Sequence, residues 1–112
     1  MTVCAKTAVR AFRLVEDGLS AEDAWKRAIC EFTDSKHYQK KNCPKVAFCG
    51  LISSDSKWDN KDNAIYAQRA LSFLKKHPRH KFKNKELWEM IGNSHKHHDG
   101  QMDVVLALWN NN

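Results

Sequence analysis

The chain has 112 residues, of which 42% are apolar, and a formal net charge of +6. This length suits a single domain over residues 1–112 with one core, and the ordinary apolar fraction argues against intrinsic disorder. No apolar run approaches the roughly 20 residues that span a bilayer, and no signal peptide is recognisable. We therefore expect a cytoplasmic protein that does not contact membranes.

Two amphipathic helices are predicted at the start of the chain. The first covers about residues 2–16, and Gly18 should end it because glycine tolerates the left-handed conformation that follows many helices. Ser20 is a favourable cap for a second helix over residues 21–32. The inward residues predicted for these helices are Cys4, Ala8, Ala11, Phe12, Val15, Ala24, Trp25, Ala28, Ile29 and Phe32.

A third helix follows a polar loop over residues 33–42. It should begin at Cys43-Pro44, since proline at the first helical position lacks only an N–H that would be unpaired there. The helix ends near Ile52. Gly50 lies inside it, where glycine lowers helix stability, and this favours close approach of another helix as the compensation.

The second half of the chain predicts three further helices. A polar linker over residues 53–60 leads to a helix over about 61–76, which Pro78 ends. A fifth helix covers about 84–93 and a sixth covers 101–109. Because no segment alternates apolar and polar residues with β-branched enrichment, the predicted fold class is all-α with about six helices.

Three sequence blocks recur in the same order in both halves. Residues 8–15 align with 67–74, residues 24–28 with 87–91, and residues 46–51 with 104–109. The order predicts two pseudo-symmetric three-helix repeats, about 2–52 and 61–109, which pack into one bundle.

Positive charge is concentrated in one segment of the second half, here named the basic loop. Its cations are Lys75, Lys76, Arg79, Lys81, Lys83 and Lys85. They lie within eleven residues that include no acid. Such a cluster can bind nucleic acid or another polyanion, although a solvated loop is the commoner role of a basic run this short.

A second cluster, His95, His97 and His98 followed by Asp99, contains possible metal ligands. Imidazole suits zinc, copper or nickel, but this spacing is not a known zinc signature and the first repeat has no equivalent cluster. A solvated loop is the alternative interpretation.

Four cysteines, Cys4, Cys30, Cys43 and Cys49, occur in the chain. In a reducing compartment we expect buried thiols rather than a disulfide framework. Cys43 is different, because the start of a helix and neighbouring lysines lower the pKa of a thiol. It is either a reactive thiol or an ordinary residue of the first turn.

Trp58 is an isolated aromatic residue in the polar linker. It either folds back as a lid over the core or is exposed as a protein-contact point. Trp25, Trp88 and Trp109 lie on apolar helix faces and should be largely buried.

Two long motifs, residues 43–51 (CPKVAFCGL) and 101–109 (QMDVVLALW), occur with Ala24-Trp25 and Tyr66-Ala67. With these motifs the chain resembles a family of small, uncharacterised, all-helical bacterial proteins. The resemblance covers most of the chain and implies no activity, because it brings no catalytic or binding residues with it.

No catalytic motif occurs in the sequence, and we favour a non-enzymatic binding or adaptor module without a cofactor. Its partner could be a protein, including a second copy of the chain. The alternative is a nucleic-acid-associated protein that uses the basic loop. A weaker alternative is a small metal- or thiol-dependent enzyme. A helix-turn-helix is disfavoured, because the connecting loops are long and the would-be recognition helix over 102–109 is apolar.

Overall fold

The computed structural model describes residues 1–111 and shows an all-helical protein. These residues form α1 (Val3–Glu16), α2 (Ala21–Phe32), α3 (Lys36–Gln39), α4 (Asn42–Ile52), a 3-10 turn (Ser56–Trp58), α5 (Asp62–Lys76), α6 (Asn84–Met90) and α7 (Gln101–Asn110). No strand occurs in this part of the chain, so the predicted all-α fold class is confirmed. None of the helices described is both long and apolar enough to cross a membrane.

The helix boundaries differ from the prediction at three places. A short helix, α3, lies inside the predicted polar loop, where the Ser35 hydroxyl accepts the Tyr38 N–H at 3.4 Å. Pro44 occupies the third position of α4 rather than the first, and this costs no helical bond because the first four N–H groups of a helix lack internal partners. Helix α6 ends at Met90 because Gly92 takes a φ of +92°.

The pairing of α1 with α2 depends on a short glycine turn. Gly18 has a φ of +111°, its N–H donates to the Val15 carbonyl at 3.0 Å, and the Leu19 N–H donates to the Leu14 carbonyl at 3.1 Å. This is the Schellman pattern at a helix end, and it confirms the predicted role of Gly18. The small residues Ala8, Ala11, Ala24 and Ala28 are fully buried in the pair.

The core consists of two adjoining clusters of buried side chains. One is built from α1, α2 and α4 and contains Trp25, whose ring centroid lies 5.4 Å from that of Phe48. The other is built around α5, α6 and α7, and Leu51 packs against both. At their junction a Cβ added to Gly50 would lie only 2.7 Å from the Cα of Ala64, which confirms the predicted close approach of another helix.

Two predictions of burial are wrong. Phe32 is exposed, because it is the last residue of α2 and the following α3 has no buried residue to cover it. Cys30 is exposed, and its thiol donates to the Lys26 carbonyl at 3.4 Å instead of packing in the core. Trp25 and Trp88 are buried as predicted, and Trp109, near the end of α7, is partly buried against the second core cluster.

The two halves share a pattern of burial at aligned positions. Ala8 and Ala67 are both fully buried, and so are Ala11 and Ala70. The helix pairs agree in part, since α1 packs on α7 as α5 packs on α4. Two-fold symmetry and a single domain over the whole chain nevertheless stay predictions.

Candidate functional site

The basic loop connects α5 to α6 and exposes all six of its cationic side chains. None of the six lies within 4 Å of a carboxylate of residues 1–111. Elsewhere in the chain the lysines are of two kinds. Lys26, Lys41, Lys45 and Lys57 each contact an acidic side chain, whereas Lys6, Lys36, Lys40, Lys61 and Lys96 make no ion pair with the described residues. The basic loop therefore presents positive charge that the described protein does not itself neutralise.

Aromatic contacts fix the path of the basic loop. Helix α5 stops before Pro78, and the His77 ring lies 4.6 Å from the ring of Phe73 in the last turns of the helix. The Phe82 ring, farther along the loop, lies 5.2 Å from Phe73 and 4.2 Å from His80. Phe82 is half-buried against the second core cluster. The middle of the basic loop is thus anchored, and its ends are helical: Lys75 and Lys76 lie in the last turn of α5, and Lys85 lies in the first turn of α6.

A cavity of about 410 Å³ lies between the basic loop and the end of α7. Its walls include the aromatic side chains of Phe82 and Trp109 together with the cations Arg79 and Lys81. Helix α7 itself is mostly buried, so it is a core helix and not a recognition helix. Aromatic surface thus lies beside positive charge where the basic loop meets the last turn of α7.

A second positively charged region, here named the Glu22 cleft, has a volume of about 560 Å³. It is lined by Glu22, Asn42, Lys45, Val46, Lys57, Trp58, Lys61, Asp62 and Asn63. The first turns of α4 and α5 both border it, and neither helix has a side chain bonded to its free N–H groups at the cap position.

Three lysines surround one carboxylate in the Glu22 cleft. The ammonium groups of Lys26 and Lys45 lie 3.7 and 3.6 Å from one oxygen of Glu22, and that of Lys57 lies 3.5 Å from the other. Burial raises the pKa of Glu22, but the attraction of the three cations outweighs it, so the pKa is below its ordinary value. Glu22 is therefore ionised at neutral pH.

Cys43 lies beside the Glu22 cleft in a polar cluster with Asp99. Lys41 contacts the Asp99 carboxylate at 2.6 Å, and Gln101 donates to the Asn63 side-chain oxygen at 2.8 Å. The expected lowering of the Cys43 pKa is wrong: burial, and then the negative charge of Asp99, raise it above the ordinary value. The helix terminus and lysines are outweighed, so the thiol is protonated at neutral pH.

The three histidines predicted as metal ligands do not converge. His95 and His97 are exposed, whereas His98 is half-buried and its Nε2 accepts the backbone N–H of Met102 at 3.0 Å. Among residues 1–111 no group of three His, Cys, Asp or Glu side chains is arranged to hold a metal ion. The His98 ring instead accepts a hydrogen bond from a backbone N–H in the first turn of α7.

Trp58 is 6% exposed and belongs to the first core cluster. The Lys57 ammonium lies 5.0 Å from the centre of its ring, which places cation and indole in favourable contact. This burial matches the lid interpretation of the linker and leaves little of the indole free to contact a partner.

Sequence reasoning located the basic loop and missed the Glu22 cleft. Glu22 and Lys26 are four residues apart on one helix, a spacing that predicts an ion pair. Lys45 and Lys57 come from other elements, and no local pattern could have brought them to the same carboxylate.

Comparison with known proteins gives one match. No curated protein and no solved structure matches the chain. A family model described as a family of unknown function matches residues 1–112, in keeping with the resemblance inferred from the two motifs. The chain therefore belongs to the family of unknown function DUF6979.

Proposed function

We propose that this protein is a non-enzymatic binding module whose contact surface is the basic loop and whose partner is nucleic acid. The observation that carries this proposal is the set of six exposed cations with no carboxylate in contact among the described residues. Nucleic acid carries a layer of condensed counterions around its phosphate groups. Protein cations that bind the phosphates release these counterions, and the release supplies much of the binding free energy.

The cavity beside the basic loop favours single-stranded nucleic acid over duplex. Phe82 and Trp109 offer aromatic surface next to Arg79 and Lys81. Unpaired bases stack on aromatic side chains while cations follow the backbone, and this contact is sequence-tolerant. In a duplex the bases are already stacked on each other and cannot use that surface.

The test is a fluorescence-anisotropy titration with labelled single-stranded and duplex oligonucleotides of equal length at two salt concentrations. We expect tighter binding to the single strand and weaker binding at the higher salt concentration. The slope of the logarithm of the association constant against the logarithm of the salt concentration is negative. Replacing Lys81, Lys83 and Lys85 by alanine should make this slope less steep by up to about 2.

A matched control removes the same charge elsewhere. The triple variant Lys6→Ala, Lys36→Ala and Lys40→Ala changes three exposed lysines outside the basic loop. Its affinity and salt slope should stay close to those of the wild type. Equal losses in the two triple variants, or no binding at low salt, would contradict the proposal, and a protein partner would then be the better interpretation of this surface.

A further inference from the structure

The Glu22 cleft holds more positive charge than its own carboxylates neutralise. Lys45, Lys57 and Lys61 line it, and Lys26 reaches Glu22 from the same helix. Against these four lysines stand only two lining carboxylates, those of Glu22 and Asp62. We propose that the cleft is a binding site for a small phosphate monoester, with Lys45, Lys57 and Lys61 as the groups that contact the phosphate.

The lysines that contact Glu22 make only long ion pairs with it. Their contacts with Glu22 lie between 3.5 and 3.7 Å, whereas Lys41 contacts Asp99 at 2.6 Å in the neighbouring cluster. One singly charged carboxylate is thus shared by three ammonium groups. A phosphate monoester, with up to two negative charges and three acceptor oxygens, matches this arrangement better than a second carboxylate does.

Lys61 lines the cleft but, unlike Lys45 and Lys57, makes no ion pair with Glu22. It lies at the start of α5 and makes no ion pair with any other described residue. The free N–H groups of the first turns of α4 and α5 border the same space and add partial positive charge. A phosphate in the cleft would therefore meet lysine side chains together with the N–H groups at the starts of α4 and α5.

The size and walls of the cleft indicate a small ligand. Its volume of about 560 Å³ lies within the range of small-molecule sites, about 300–1,000 Å³. Trp58 and Val46 add only small apolar edges to its wall, since they are 6% and 8% exposed, while Asn42 and Asn63 add polar side chains. The organic part of the ester should therefore be small and polar, with the phosphate making most of the contacts.

Glu22 acts in this arrangement as an internal competitor for the lysines. Its carboxylate keeps Lys45 and Lys57 turned toward the cleft, and a bound phosphate would face its negative charge. Glu22→Gln should therefore lower the dissociation constant for a phosphate ester several-fold, since one unit of like charge is removed at close range.

The test is an NMR titration of the labelled protein with glycerol 2-phosphate, with glycerol as the neutral control. We expect saturable shifts of backbone amides in the first turns of α4 and α5, and no such shifts with glycerol. The double variant Lys57→Gln and Lys61→Gln, at exposed positions, should raise the dissociation constant by about tenfold or more. The matched variant Lys75→Gln and Lys76→Gln removes equal charge from the basic loop and should leave the constant unchanged.

Several outcomes overturn the proposal. Shifts that never saturate, or equal weakening in both double variants, mean general attraction of anions to a basic protein. Shifts confined to the basic loop assign the phosphate to that surface instead. Weaker binding by Glu22→Gln shows that Glu22 is not a competitor. Circular dichroism melting curves of each variant show whether a loss of binding is a loss of folding.

Discussion

The two halves of the molecule bury the same kind of helix face but join their helices in different ways. In the first half, residues 17–20 connect α1 to α2, and the fully buried Ala8 and Ala24 belong to the resulting pair. In the second half, the longer segment 77–83 connects α5 to α6, and α6 packs on α7. The short turn brings α1 directly against α2, whereas the longer segment leaves room for exposed cations.

The tryptophans at aligned positions show the same contrast within the core. Trp25 and Trp88 are both buried, at 1% and 3% exposure. The indole N–H of Trp88 donates to the Lys96 carbonyl at 3.0 Å, whereas that of Trp25 has no acceptor among residues 1–111. The second half therefore uses its tryptophan to fix a loop as well as to fill the core.

The largest predicted effect is the loss of either tryptophan. Trp25→Ala and Trp88→Ala should each lower the free energy of unfolding by about 3–5 kcal/mol, because each leaves a cavity in a packed core. Urea denaturation followed by circular dichroism measures both.

The phenylalanine variants sharpen this comparison. Trp88→Phe should cost about 1 kcal/mol more than Trp25→Phe, since only Trp88 gives up a hydrogen bond. Equal costs for the two phenylalanine variants would show that the hydrogen bond to the loop adds nothing to stability.

The elements that could be predicted from the sequence are those set by neighbours along the chain. Gly18 takes a positive φ at the end of α1 as predicted, and α5 ends before Pro78 as predicted. The rise in the Cys43 pKa could not be predicted, because the burial that mainly causes it depends on packing and because Asp99, which adds to it, comes from a segment 56 residues later in the chain. The Glu22 cleft was missed for the same reason: its charges meet only when helices pack.

The junction between the halves gives the next largest effect. Gly50→Ala should lower the free energy of unfolding by about 1–3 kcal/mol, because the new Cβ meets the backbone of Ala64 and the helices must shift apart. The double variant Gly50→Ala with Ala64→Gly should be less destabilised than the sum of the two single changes. If the two changes in unfolding free energy simply add, residues 50 and 64 are not in steric contact.

Anchoring of the basic loop is the third point of comparison. Phe82→Ala should cost only about 1 kcal/mol, since Phe82 is half-buried. It should nevertheless weaken single-strand binding, because the loop loses its contacts with Phe73 and His80 and the cavity loses a wall. The exposed Phe32→Ala is the control and should change neither quantity. If Phe82→Ala leaves oligonucleotide affinity intact, the aromatic anchor has no part in binding.

The smallest effect is a pH dependence of stability between about pH 5 and about pH 7.5 that should arise in the second half, at His98. Burial lowers the pKa of His98 below the ordinary value of 6.5, against the attraction of Asp103 and Asp99. The neutral ring accepts the Met102 N–H, and protonation removes that acceptor. Because the unfolded chain takes up the proton at higher pH than the folded one, stability should fall as the pH drops through about 6.5 toward the lower pKa of the folded state, and should be fully present above that window.

Melting temperatures measured from about pH 7.5 to about pH 5 test this prediction. His98→Gln keeps a side-chain acceptor but cannot titrate, so its melting temperature should vary less with pH than that of the wild type. His95→Gln, at an exposed position in the same loop, should keep the wild-type slope. A wild-type slope in His98→Gln would assign the pH dependence to other groups. The start of α7 would then be stabilised chiefly by its other contacts, among them the hydrogen bond from Gln101 to Asn63.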